Sequence, residues 1–173
     1  YSTNPTENYV RYFSRDDADS DLAIELITRI GEIRWDLSMV KIEGMQEINP
    51  RSLQPSKSRK LKALSLLFED VKTSIESLGL FAAYLSLKSI KVQYGLIRKK
   101  PQQKPAFLRQ VDRCILFVNE LLKMMEELEF DSNLTIEKIL LNSTSKVRKL
   151  IALLMNKFKD PEREKDLQCL IFV

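Results

Sequence analysis

Apolar residues recur at steps of three and four through most of this chain, and this spacing restricts it to helices packed side by side. Because an α-helix turns once in 3.6 residues, such residues share one face, which a neighbouring helix must cover. We therefore expect an all-α bundle of five or six helices, with short extended segments at its ends. The pattern predicts helices over residues 21–40, 58–78, 81–97, 106–129, 136–141 and 144–158.

The breaks between these helices coincide with turn-forming residues. Residues 43–58 contain Gly44, Pro50 and Pro55 and are predicted to form a solvated loop. Gly79 marks a break between the second and third helices, and Pro101 and Pro105 bracket a short linker. Two parallel apolar rows on the fourth helix, one beginning at Phe107 and the other at Leu108, are typical of a central bundle helix.

Both ends of the chain have a different character. Residues 1–13 include Pro5 and a β-branched and aromatic run, so they are predicted to be extended. Residues 167–173, LQCLIFV, read as a strand buried on both faces inside a parallel sheet. A lone strand cannot satisfy its backbone hydrogen bonds. The chain is therefore expected to be a part of a larger α/β protein.

Composition excludes several classes of function. The chain has no histidine, which removes the usual general base and the commonest metal ligand. Its four glycines form no phosphate-cradling loop, so no cofactor is expected. Adjacent carboxylates such as Glu126 and Glu127 point in different directions on a helix and cannot converge on a metal ion. Catalysis by this segment is therefore not expected.

The composition also points to a compartment. No apolar stretch approaches the roughly 18 residues of a membrane span, and the start of the chain does not resemble a secretory signal. Cys114 and Cys169 lie in apolar patterns, which favours two buried thiols over a disulfide. We therefore expect a cytoplasmic protein that does not bind a membrane.

The first helix carries a second apolar stripe beside its core face. It consists of Ile24, Ile27, Gly31 and Trp35, and a single bundle core has no obvious use for it. An exposed stripe around a tryptophan suits a protein–protein contact, and Gly31 would let a partner approach the backbone. Two other interpretations stay open: burial against the third and fourth helices, or packing against other domains.

Basic residues are concentrated in two parts of the chain. Arg98, Lys99, Lys100 and Lys104 are candidates for contact with an RNA backbone, together with lysines and arginines of residues 57–62 and with Lys88 and Lys91. No aromatic residues suited to base stacking are interleaved with them, although duplex RNA does not require stacking. With a net charge of only +4, a solvated surface is the simpler interpretation.

Both ends resemble parts of helicases of superfamily two. Residues 146–150 (KVRKL), followed by a charged loop and residues 169–173, resemble the approach to the second RecA-like domain, and residues 1–13 resemble the strand after the first. Between these ends, Leu78-Gly79, Phe107-Leu108 with Phe117, and the closing 146–150 block are similar to the helical insertion in animal Dicers. Among these, the chain looks most like the insect Dicer of the microRNA pathway.

The resemblance implies a role in recruitment within a ribonuclease III-class enzyme. Residues 1–15 would be a helicase-core segment, 16–142 the partner-binding insertion, and 143–173 the start of the second RecA-like domain. The implied partner is the third double-stranded-RNA-binding domain of a Loquacious-type protein that serves microRNA processing. The alternatives are an insertion that contacts duplex RNA, as in the RNA-sensing helicases, and an unrelated helical scaffold.

Overall fold

The computed structural model describes residues 21–45, 47–48, 55–56 and 58–158, and within them the predicted all-α architecture is confirmed. The flanking segments predicted for residues 1–15 and 167–173 lie outside the described residues. The helices are α1 (Asp21–Met39), α2 (Arg59–Leu78), α3 (Leu80–Lys99), α4 (Pro105–Met124), α5 (Ile136–Leu141) and α6 (Ser145–Phe158).

One predicted helix limit and one predicted loop need correction. The fourth helix was expected to reach residue 129, but α4 ends at Met124 and a 3₁₀ turn, Glu126–Leu128, follows it. Glu129 then adopts the left-handed conformation, at φ 53°, and ends the helical run. The predicted loop 43–58 also contains a minimal antiparallel pair, β1 (Glu47–Ile48) with β2 (Pro55–Ser56).

The four long helices form an up-down-up-down bundle. α2 and α3 run antiparallel, because Ser74 bonds Ser86 near their shared turn while the Tyr94 hydroxyl donates to the Leu64 carbonyl, 2.7 Å away, at the far end. The helices pack in chain order, and α4 closes the ring against α1. α4 also contacts α2 across the bundle, as its two apolar rows predicted.

Aromatic rings fill the centre of this bundle. The Phe68 ring of α2 lies 5.6 Å from the Tyr94 ring of α3 and 5.5 Å from the Phe117 ring of α4, centroid to centroid. Such tilted and edge-to-face contacts add about 0.5–1.5 kcal/mol each to the burial of apolar area. Three helices are therefore joined at one point. Around it lie fully buried aliphatic side chains: Leu26, Ile30, Leu64, Val71, Ile75, Leu87, Val111, Val118 and Leu121.

A single glycine turns the chain from α2 into α3. Gly79 has φ 104° and ψ −173°, a conformation that side chains other than glycine rarely adopt. The connection between α5 and α6 lies directly on this turn. The Phe81 amide donates to the Asn142 carbonyl, and the Thr144 amide donates to the Leu78 carbonyl, both at 3.0 Å. The turn therefore anchors the last two helices to the bundle.

The segment after α4 is fixed against α3. The Phe130 ring packs against Phe81 and Tyr84, with centroids 5.3 Å and 5.1 Å away. Next to it, the Asp131 carboxylate accepts hydrogen bonds from the Tyr84 hydroxyl and the Lys88 ammonium. These contacts hold the segment that follows α4 at the end of the bundle where α3 begins.

Candidate functional site

The helix α1 has one face in the core and another in solvent. Ile24 and Trp35 both expose more than half of their surface, and Trp35 exposes 64%. Core burial of these two side chains is therefore ruled out within the part of the chain that the structure describes. The buried face of the same helix consists of Ala23, Leu26, Ile30, Ile33 and Leu37.

The other two predicted members of the stripe differ from each other. Ile27 is half buried and packs against the core, so it forms the edge of the stripe rather than its centre. A β-carbon added to Gly31 would meet nothing within 4 Å, so the fold itself does not require glycine there. Sequence reasoning missed Met39, which is exposed and lies one turn beyond Trp35. We call Ile24, Gly31, Trp35 and Met39 the α1 face.

Ion pairs fix α1 between its two neighbours. Each links an α1 side chain to α2 or α4: Arg34 with Glu69, Arg29 with Glu120, and Asp36 with Arg113. All of these groups are partly exposed, so each pair adds at most about 1 kcal/mol to stability. Their main effect is orientation. They hold the helix from both sides and leave the α1 face directed away from the bundle.

The candidate RNA-contacting residues do not form one free cationic cluster. The Arg98 guanidinium donates to the Asp112 carboxylate, and the Lys104 ammonium donates to the Glu43 carbonyl at 2.9 Å. Lys99 and Lys100 are exposed, and the structure shows no partner for their side chains within the described residues. Within the described residues, Arg98 is therefore the one of the four that is in an ion pair, Lys104 holds a neutral carbonyl and keeps its charge, and Lys99 and Lys100 have no side-chain partner.

Other basic groups do gather at the same end of the bundle. α2 begins there with Arg59 and Lys60, and a shallow depression lined by Ser58, Gln102 and Lys104 lies beside them. Lys60 donates to Gln103 at 3.2 Å and also lies 5.7 Å from the Phe107 ring centroid. We call Arg59, Lys60, Lys99, Lys100 and Lys104 the basic end.

Buried titratable groups in the bundle are structural. Burial raises the pKa of the Cys114 thiol to about 12 and also raises the pKa of the Tyr94 hydroxyl. A thiol in this state is not a nucleophile near neutral pH. The expectation of a buried Cys114 is therefore confirmed, whereas Cys169 lies outside the described residues. In the described part of the chain, no cluster of three or more acidic or cysteine side chains could hold a metal ion.

In comparisons with known proteins, no protein-family model and no curated protein sequence matches this chain. The resemblance to the Dicer insertion therefore stays an expectation. Among the described helices, none is both long enough and apolar enough to cross a membrane.

Proposed function

We propose that this chain is a non-catalytic protein-docking module and that its partner binds the α1 face. The observation that carries this proposal is the exposure of Trp35 between Ile24 and Met39. From Ile24 to Met39 the face extends for about 22 Å along the helix at 1.5 Å per residue. Tryptophan is enriched among residues that contribute most to binding, since it removes a large apolar area from water.

The geometry of α1 suits docking better than it suits stability. Gly31 lies between Ile24 and Trp35, and nothing in the fold occupies the space beside it. Glycine in a helix interior costs about 1 kcal/mol relative to alanine. No contact within the described bundle offsets this cost. A partner could use the gap to approach the α1 backbone.

The kind of partner follows from the resemblance to animal Dicers. Within that family, the corresponding insertion recruits a double-stranded-RNA-binding domain of a cofactor protein. We infer that the α1 face receives the third such domain of a Loquacious-type protein, in the cytoplasm, for microRNA processing. The ribonuclease centres of the parent enzyme would then lie elsewhere in the longer chain.

Trp35 provides a direct assay, because it is the single tryptophan of the chain. When a partner domain that contains no tryptophan binds, the fluorescence emission of Trp35 should shift to shorter wavelength, because the exposed indole leaves water. Ile24→Asp should raise the Kd at least about tenfold, since it places a charge in the apolar contact. The matched control is Leu66→Asp, because Leu66 also exposes more than half of its surface but lies on α2.

Two results would contradict this proposal. One is saturable partner binding with no change in Trp35 emission and no effect of Ile24→Asp. The other is an equal loss of affinity in Ile24→Asp and Leu66→Asp, with both variants still helical by circular dichroism. Ile27→Asp is a poor test, because Ile27 packs against the core and its loss would also destabilise the fold.

A second candidate function is duplex RNA contact at the basic end, favoured by the exposed cations Lys99 and Lys100, which have no side-chain partner among the described residues. Phosphate contacts release counterions, so RNA binding should weaken steeply as salt rises. Docking on an apolar face should change little with salt. A double Lys99→Glu, Lys100→Glu variant should lower RNA affinity and flatten its salt dependence while leaving partner binding at α1 intact.

A further inference from the structure

The helix α3 carries a second exposed apolar stripe. Leu85, Val92 and Leu96 each expose more than half of their surface. Their spacing along the helix equals that of Ile24, Gly31 and Trp35 in α1. Because α1 and α3 both pack between α2 and α4, they lie at opposite corners of the bundle. The two stripes therefore face away from each other, and we call Leu85, Val92 and Leu96 the α3 face.

The charges around the two stripes have opposite signs. α3 contains no aspartate or glutamate, and its cations are Lys88, Lys91, Arg98 and Lys99. Lys88 and Arg98 pair with acidic residues of the α4 region, whereas Lys91 and Lys99 have no partner among the described residues. By contrast, α1 has four acidic residues and two arginines. A partner of the α3 face therefore meets unbalanced positive charge.

Helical spacing brings part of this charge next to the apolar side chains. Lys99 lies three residues beyond Leu96, so the two are neighbours on the helix surface. Gly95 lies three residues beyond Val92, and a β-carbon added there would meet nothing within 4 Å. The stripe thus combines an apolar line about 16 Å long with an open backbone position and a cationic border.

We propose that the α3 face binds an acidic amphipathic helix of a partner protein. A straight apolar line of three turns is the shape that a second helix covers, with axes about 8–10 Å apart. Glutamate or aspartate flanking the apolar side of that helix would pair with Lys99 and Lys91. An anionic membrane is a poorer match, because stable electrostatic attachment uses clusters of about four to eight free basic residues.

The test uses the whole 173-residue chain and a fluorescein-labelled peptide about four turns long. One side of the peptide carries leucine at helical spacing, and its other positions are mainly glutamate. A matched peptide has lysine in place of every glutamate. By fluorescence anisotropy, the glutamate peptide should bind at least about tenfold more tightly than the lysine peptide in low salt.

Variants then locate the site. Val92→Asp or Leu96→Asp should raise the Kd of the glutamate peptide at least about tenfold, because each puts a charge into the apolar contact. Lys99→Glu should raise the Kd and reduce its dependence on salt. Leu66→Asp on α2 is the control and should leave binding unchanged. All of these positions are exposed, so the variants should keep the parent's circular dichroism.

Several outcomes would overturn the proposal. Equal binding of the two peptides would show that charge plays no part. Equal losses in Leu96→Asp and Leu66→Asp would place the contact elsewhere. Capture of the chain by phosphatidylserine vesicles, abolished by Leu96→Asp, would assign the face to a membrane. Dimers in sedimentation velocity that disappear in the same variant would assign it to a second copy.

Discussion

Replacing Gly79 by alanine should destabilise the bundle more than any other single-methyl addition at its glycines. Gly79 has φ 104° and ψ −173°, a region that is almost restricted to glycine. A β-carbon there would also lie 2.6 Å from the Asn142 carbonyl oxygen and 2.8 Å from the Ser143 α-carbon. Both neighbours are backbone atoms, so no side-chain rotation can relieve the contact.

The size of the effect follows from two contributions. Forcing alanine into this backbone region costs about 1–3 kcal/mol. Moving the α5–α6 connection away would also break the hydrogen bonds from the Phe81 amide to Asn142 and from the Thr144 amide to Leu78, at about 1 kcal/mol each. We therefore expect Gly79→Ala to lower the free energy of unfolding by about 3–5 kcal/mol, a large fraction of the 5–15 kcal/mol typical of a domain.

Gly31→Ala is the matched control, because the same atom is added to a glycine of the same bundle. Position 31 is helical and open, so alanine should raise the free energy of unfolding by about 0.5–1 kcal/mol. Urea unfolding followed by circular dichroism should move the two midpoints in opposite directions. The reasoning fails if Gly79→Ala leaves the midpoint within the range of Gly31→Ala, or if Gly31→Ala is the more damaging change.

Two further predictions concern titratable groups. In a variant with Cys169 replaced by serine, Cys114 should react with a thiol reagent at pH 8 only as fast as the bundle opens, because burial raises the pKa of its thiol to about 12. Rapid labelling of Cys114 in the folded protein would contradict its burial. Hydrogen bonds from Lys88 and Tyr84 lower the pKa of Asp131 in the folded state, so the unfolded chain binds this proton more readily. The stabilisation by Asp131 should therefore be present at neutral pH and fade as the pH falls below about 4. Urea midpoints of the parent and of Asp131→Asn should converge at acidic pH, and a constant gap would show that the pKa of Asp131 is not shifted.

The sequence predicted the helices well because their apolar spacing repeats over five turns or more. α1, α2 and α3 end within about two residues of their predicted limits. The C-terminal limit of α4 was wrong, because the apolar pattern continues through Leu128 while the backbone has already tightened into a 3₁₀ turn. Periodicity reports which side chains face the core, but it does not distinguish two helical forms within a single turn.

The candidate site could be predicted only in part. The spacing of Ile24 and Trp35 indicated a stripe outside the core, but it could not show that Ile27 leans into the core while Met39 stays exposed. The rotation of α1 about its axis decides whether Ile27 or Met39 is exposed; burial of Leu26, Ile30 and Ile33 sets this rotation, and the ion pairs to α2 and α4 are compatible with it. The α3 face was missed for a related reason. Apolar residues occur on several sides of α3, and their spacing alone does not show that Leu85, Val92 and Leu96 face solvent; the packing of α3 decides it.

The up-down-up-down arrangement explains why the bundle can present two independent surfaces. α2 and α4 occupy the corners between α1 and α3, so the α1 face and the α3 face lie on opposite sides of the bundle. The opposite charges then sort the partners: an acidic helix is repelled by the carboxylates of α1 and attracted by the lysines of α3. The two sites should therefore be occupied together rather than in competition. If the proposed double-stranded-RNA-binding domain binds the α1 face, saturating the chain with it should leave the affinity of the acidic peptide unchanged, whereas displacement of the peptide would mean that both ligands share one surface.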